Sequence, residues 1–232
     1  MKISFVHTQN VRNFVAHMKD AEKMNGESAL LVFYGQAGRG KTTAARWFTA
    51  QEGAAYCRSL MGWTELWMLQ DLCFELNIDP IPHRKKACFE AIIETLQARP
   101  RTVIIDEADK LSENFLEWIR DLADKSYVPF ALMGEKRLKF RMENERRIWS
   151  RTVRVMEFGP ITVQDILFFA KEAANLNLTA AQAEILHKNS EGDFRLAARD
   201  VRCLEEIIQT NQLEKISDDT VRLAVKQGLR GS

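Results

Sequence analysis

Residues 35–42 read Gly-Gln-Ala-Gly-Arg-Gly-Lys-Thr, the full G-x-x-x-x-G-K-[ST] spacing of a phosphate-binding loop. Gly35, Gly38 and Gly40 leave room for main-chain N–H groups to wrap an anion. Lys41 can reach the terminal phosphates of a nucleoside triphosphate, and the Thr42 hydroxyl can hold Mg²⁺. A helix expected from about Lys41 points its positive end at the same anion. A Gly-rich turn can match this pattern by chance. Chance does not readily supply both the apolar run 29–34 before it and the helical stretch 43–48 after it. The nucleotide-binding set is therefore Gly35, Gln36, Ala37, Gly38, Arg39, Gly40, Lys41, Thr42 and Thr43.

Such a loop requires a second apolar strand ending in a carboxylate that holds the metal, and residues 102–107 read Thr-Val-Ile-Ile-Asp-Glu. Asp106 joins Thr42 as the expected Mg²⁺ residue, and Glu107 is placed to orient or deprotonate a water that attacks the γ-phosphate. The competing reading of an Asp-Glu pair after a strand is a cap on the next helix. A carboxylate that activates water favours hydrolysis over transfer to a small molecule. A guanine reader of the form Asn-Lys-x-Asp does not occur in the sequence, so ATP is the expected nucleotide.

The 232 residues, 46% hydrophobic and 28% charged, suffice for one α/β core and a small appended domain. No apolar stretch approaches the roughly 18–20 residues of a membrane span, and the chain does not open on a charged and then apolar leader. A cytoplasmic protein without a membrane partner is expected. Cys57, Cys73, Cys88 and Cys203 lack metal-binding spacing, and they read as small reduced core residues. His7, His17, His83 and His187 are equally dispersed.

A net charge of +1 excludes a uniformly basic coat, but the charge is uneven. Residues 106–125 carry seven acids against three bases, whereas residues 135–154 carry eight bases against three acids. The second stretch is the strongest candidate for a positive patch.

The elements needed to position these groups follow from periodicity. Apolar positions from Val11 to Met24 predict a helix that Asn25-Gly26 would end. Strands are expected at 29–34, 54–58, 102–106, 128–133 and 152–156, with helices between them over about 64–76, 85–97 and 112–125. Alternation of this kind argues for a mostly parallel sheet with helices on both faces. From Pro160 onward no strand-like run follows. Thr162 and Thr179 open capping boxes and Ser217 opens a last helix, so residues 160–232 read as a helical lid after an α/β domain of residues 1–159.

This combination resembles the AAA+ ATPases over nearly the whole chain. The resemblance implies a P-loop AAA+ module with a five-stranded parallel sheet sandwiched by helices, then a small all-helical lid. It places the sensor 2 role on Arg195 of Gly192-Asp-Phe-Arg195 and an arginine finger on Arg151 of Ser150-Arg-Thr152, with Arg146 and Arg147 as substitutes. Where the family often has a polar sensor 1 residue, this chain has Glu135. An acid there would repel a γ-phosphate unless bridged, which implies slow hydrolysis.

Within the family the chain looks most like the transposition regulators, the group that includes phage Mu transposition protein B and the TnsC and TniB proteins. The residues that carry this are 5–11 before the first helix, Gly62-Trp-Thr64, and Met133-Gly-Glu-Lys-Arg-Leu138, read as a turn. The phage Mu protein's extra N-terminal DNA-binding domain would have no room before residue 8. The resemblance implies an ATPase, stimulated by DNA or by oligomer formation, that assembles with itself on duplex DNA, selects a target and stimulates a transposase. Lys41, Glu107, Arg151 and Arg195 are the implied catalytic set. Lys136, Arg137, Lys139 and Arg141 are the implied DNA contacts, with Arg84, Lys85 and Lys86 as a second group. A helicase loader would share every nucleotide residue, and a standalone nucleotide-metabolising enzyme would need neither Arg151 nor DNA. A signalling switch would carry further domains that this length does not hold.

Overall fold

The computed structural model describes residues 5–24 and 29–228; the expected Asn25-Gly26 helix stop lies outside them. Five strands form one sheet: β1 (Ala29–Tyr34), β2 (Ala55–Arg58), β3 (Val103–Asp106), β4 (Pro129–Gly134) and β5 (Thr152–Glu157). Their order is β2-β3-β4-β1-β5 and every pairing is parallel. β1 is buried at all six positions, which is why its sequence is a continuous apolar run. The strands begin and end within one or two residues of the positions expected from sequence.

Because β4 lies between β1 and β3, the turn at Gly35 and the Asp106 turn flank its carboxyl end. Open parallel sheets carry their ligand sites at that end. The register sets Tyr34 beside Gly134 and Arg58 beside Asp106. At the far edge β5 pairs with β1 alone, and the Arg154 Nη1 donates back to the carbonyl of Val153 at 2.9 Å.

Helices α1 (Gln9–Glu22), α2 (Lys41–Glu52), α3 (Glu65–Glu75), α4 (Lys85–Ala98) and α5 (Glu113–Ser126) follow the expected apolar periodicities. Phe14 of α1 meets Phe33 of β1 edge to face at 4.7 Å and Phe48 of α2 at 5.8 Å. Such aromatic pairs add about 0.5–1.5 kcal/mol each beyond the area they bury. On the opposite face Leu69 and Leu72 of α3, Ile92 and Leu96 of α4, and Ile119 and Leu122 of α5 close the core.

Between β4 and β5 the structure differs from the sequence expectation. The Met133–Leu138 segment is not a simple turn but the entry to α6 (Lys136–Asn144), followed by the one-turn α7 (Arg146–Trp149). Leu138, Met142 and Ile148 are buried while the bases between them face outward or sideways, so a short apolar stripe holds a largely charged helix.

After β5 come α8 (Val163–Ala174), α9 (Ala180–Ser190), α10 (Phe194–Thr210) and α11 (Asp218–Gly228). Both predicted capping boxes form: Thr162 with Asp165 and Thr179 with Gln182. Ile166, Phe169, Leu186, Val201, Leu204 and Val221 make a separate core. Of the described residues, one compact unit holds Asn13–Gln36 and Lys41–Phe158, and the other holds the segment up to Arg12, Ala37–Gly40, and everything from Gly159.

Candidate nucleotide site

Within the larger unit the chain leaves β1 at Tyr34 and turns at Gly35, where a Cβ would lie 2.5 Å from the carbonyl oxygen of Phe158. Only glycine fits this approach. Lys41, the first residue of α2, folds its ammonium back to donate to the carbonyls of Gly35 at 2.6 Å and Gln36 at 2.9 Å. Next to it the Thr42 hydroxyl donates to Asp106 Oδ2 at 2.7 Å. Asp106 is 1% exposed, and its other oxygen accepts from the Glu107 N–H at 2.9 Å. Thr43 continues α2.

Tyr56 of β2 also donates to Asp106 Oδ2, at 2.9 Å. Burial, then the Asp106 charge and the hydrogen bond to it, push the phenol up to about 12. Sequence reasoning did not find Tyr56, because only the β2–β3 pairing brings it here. A hydroxyl and a buried carboxylate 2.7 Å apart are the hard-oxygen donors that suit Mg²⁺, which takes few protein ligands beside phosphate oxygens. Among the described residues no cluster of three or more His, Cys, Asp or Glu offers a fuller metal cage.

Glu107 stands in the left-handed region at φ 54°, which turns its side chain away from the line of β3. It is ion-paired with Arg58 from the end of β2 and with Lys110 from the short 3₁₀ turn Ala108–Lys110. Partial burial pushes its carboxyl up, but the hydrogen bonds and charges of Arg58 and Lys110 outweigh this and hold it below the ordinary glutamate range. Clasped in this way it is a weak base. Asp109, two residues on, went unnoticed in the sequence, although the run Asp-Glu-Ala-Asp was there to read.

Asp109 is 5% exposed and ties the Asp106 turn to the end of β4. Its carboxylate accepts from the Glu135 N–H at 3.2 Å and from Arg137 Nε at 2.6 Å, and its carbonyl accepts from Arg141 Nη1 at 3.1 Å. Glu135 itself is the exposed N-cap residue of α6. Lys139 pairs with Glu143 at 3.4 Å and stands 5.5 Å from the Tyr34 ring centre. Of the four bases proposed to meet DNA, Arg137 and Arg141 thus hold Asp109, and Lys136 is exposed. In the second group Lys85 pairs with Glu65 at 2.5 Å and Lys86 with Glu90 at 3.6 Å.

Arg146, Arg147 and Arg151 lie together, lining one open cavity of about 500 Å³ with Arg120, Asp124 and Ser150. No neighbouring sequence signal pointed to the two α5 residues.

In the smaller unit Gly38 and Gly40 have φ of 79° and 88°, the left-handed backbone that lets successive N–H groups turn inward. Asp193 caps α10 by accepting from the Arg195 N–H at 2.7 Å, and its carboxylate occupies the space that a Cβ on Gly38 would need. The Phe194 N–H donates to the Gly38 carbonyl at 2.9 Å, and Arg39 donates to the carbonyl of Glu191 at 3.0 Å. The Arg195 side chain is exposed, 3.7 Å from Asp193. The Ala37–Gly40 stretch and the start of α10 therefore belong to one packed body.

Comparison with known proteins agrees with this fold. The family described as "AAA domain" matches residues 24–142. The "ATP-dependent target DNA activator B" of Escherichia phage Mu is 26% identical over 238 aligned residues, covering 96% of this chain and 73% of the phage protein. Among solved structures, CDC6P from Pyrobaculum aerophilum superposes with a TM-score of 0.70 at 18% identity, covering 97% of this chain and 69% of that one. The Aeropyrum pernix ORC2 protein, solved with ADPNP and ADP, gives 0.68 at 17% identity, covering 94% of this chain. This chain spans 65% of the length of that ORC2 chain.

Proposed function

Because this chain belongs to the AAA domain family, we propose that it is an ATPase that binds duplex DNA without sequence preference, assembles on it as helical filaments, and thereby selects target DNA and stimulates a transposase. The observation that carries the reading is the match to a target DNA activator along 96% of the chain. The contact between Thr42 and Asp106 supports its dependence on ATP and Mg²⁺. Gly35 to Thr43 would cradle the phosphates through backbone N–H groups, and Lys41 would exchange its two loop carbonyls for phosphate oxygens. Thr42 and Asp106 would hold Mg²⁺, which when bound offsets charge on the β- and γ-phosphate oxygens.

In this reading Glu107 orients the attacking water once Arg58 and Lys110 loosen their hold on it. Arg195 would add positive charge from the chain's own α10. Arg151 would act in trans, on the nucleotide of the neighbouring copy, where such a finger is worth about 10³–10⁵ in rate. Many weak phosphate contacts repeated along an assembly then sum to firm, salt-sensitive DNA binding. This work is placed in the cytoplasm.

Electron microscopy with duplex DNA and an ATP analogue tests the reading. Ordered filaments that require both are expected, and Lys41→Ala should abolish them. Filaments formed equally well by Lys41→Ala would refute it, and closed rings would turn the reading towards a loader or remodeller.

A further inference from the structure

The cavity near α7 has six lining side chains, of which four are arginines and one, Asp124, is acidic. Arg120 is already matched within α5 by Glu117 and Asp121. Arg151 is held differently. Its backbone carbonyl accepts from the Leu30 N–H at 2.9 Å, which fixes its Cα to the edge of β1. Its Nε donates to Asp124 Oδ1 at 3.2 Å and its Nη1 to Ser150 Oγ at 3.2 Å. Two of the three guanidinium nitrogens are thus engaged from the protein side, while the side chain stays 46% exposed. Asp124 is well placed to impose this, because its neighbours Leu122 and Ala123 anchor α5 in the core.

We infer that Asp124 is a positioning residue for Arg151, holding the guanidinium so that its remaining nitrogen faces an anion of the neighbouring copy. The inference rests on the reading of Arg151 as a finger given in trans. Physically, a long flexible side chain gives up rotamer freedom when it engages a phosphate, and a prior bond to a rigid helix removes that cost beforehand. The carboxylate also offsets repulsion among the four arginines without displacing any of them.

Subunit mixing tests this. Asp124→Ala should slow hydrolysis in the assembled protein about 10- to 100-fold, the scale of a misplaced catalytic group. The protein concentration needed for assembly with an ATP analogue, read by light scattering, should rise as well. Glu107→Gln, inactive itself, keeps the Asp124–Arg151 pair, so adding it to Asp124→Ala should restore the rate per Asp124→Ala subunit. A defect in the nucleotide site of the Asp124→Ala subunit itself would not be restored by a neighbour, and Asp124→Glu separates loss of the carboxylate from damage to α5. Asp124→Glu should recover part of the rate. A parental rate in Asp124→Ala beside a slow Arg151→Ala would overturn the inference and leave the finger reading intact. A parental rate in Arg151→Ala would overturn both. Should Asp124→Ala fail to fold, Asp124→Asn replaces it, with a several-fold slowing expected and a parental rate counting against.

Discussion

Arg58 at the end of β2 grips Glu107 at the end of β3, and it can do so because the register sets Arg58 beside Asp106. The residue proposed to prepare water for attack is therefore tied to the strand next door. Arg58→Ala removes one of the two ion pairs that restrain Glu107. Hydrolysis by the isolated protein should rise several-fold, measured as single-turnover ATP cleavage. A slower rate would mean that Arg58 serves the reaction and does not restrain it.

The same pair has a signature in pH. Glu107 is held below the ordinary glutamate range, so its ion pairs contribute stability that is full above that range and fades as pH falls through the lower, folded-state value. Carboxyl NMR should show Glu107 titrating below the ordinary glutamate range. In Arg58→Ala its midpoint should move back up, and a midpoint that stays put would exclude Arg58 as the cause.

At the end of β4, Gly134 is pressed against Asp109: a Cβ would stand 2.7 Å from the carboxylate and 3.0 Å from the Asp109 backbone nitrogen. The neighbour cannot yield without releasing Glu135 and Arg137. Gly134→Ala should cost about 1–3 kcal/mol, the usual range for overpacking, seen as a lower midpoint in denaturant unfolding. No change in midpoint would show that the Asp109 turn is more yielding than its contacts suggest.

The basic helix α6 gives a discriminating pair of charge reversals. Lys136→Glu alters an exposed charge, whereas Arg137→Glu also breaks the bond to buried Asp109. If α6 meets DNA, Lys136→Glu should weaken retention while leaving the unfolding midpoint alone, and lower the salt slope by about one. Arg137→Glu should disturb both properties. Unchanged retention and slope in Lys136→Glu would remove α6 from the DNA footprint.

The parts of this molecule that were readable in the sequence are those written in short, contiguous patterns. The buried strand before Gly35, the Asp106-Glu107 pair, and the capping boxes at Thr162 and Thr179 each need only a few neighbouring residues. Helix α6 was hidden because six of its nine residues are polar or charged, and of its apolar members Leu138, Phe140 and Met142 the second is exposed, which leaves a stripe of two. Tyr56, Arg58 and Asp124 were out of reach for another reason. Each acts on a group that only strand pairing or helix packing brings near, as with Asp124 and Arg151, 27 positions apart.

An outermost strand with bare main-chain groups invites a second copy to continue the sheet. On β5 the guanidinium of Arg154 is turned back onto its own strand's carbonyl. A charged side chain on an outermost strand disfavours its continuation by a second copy.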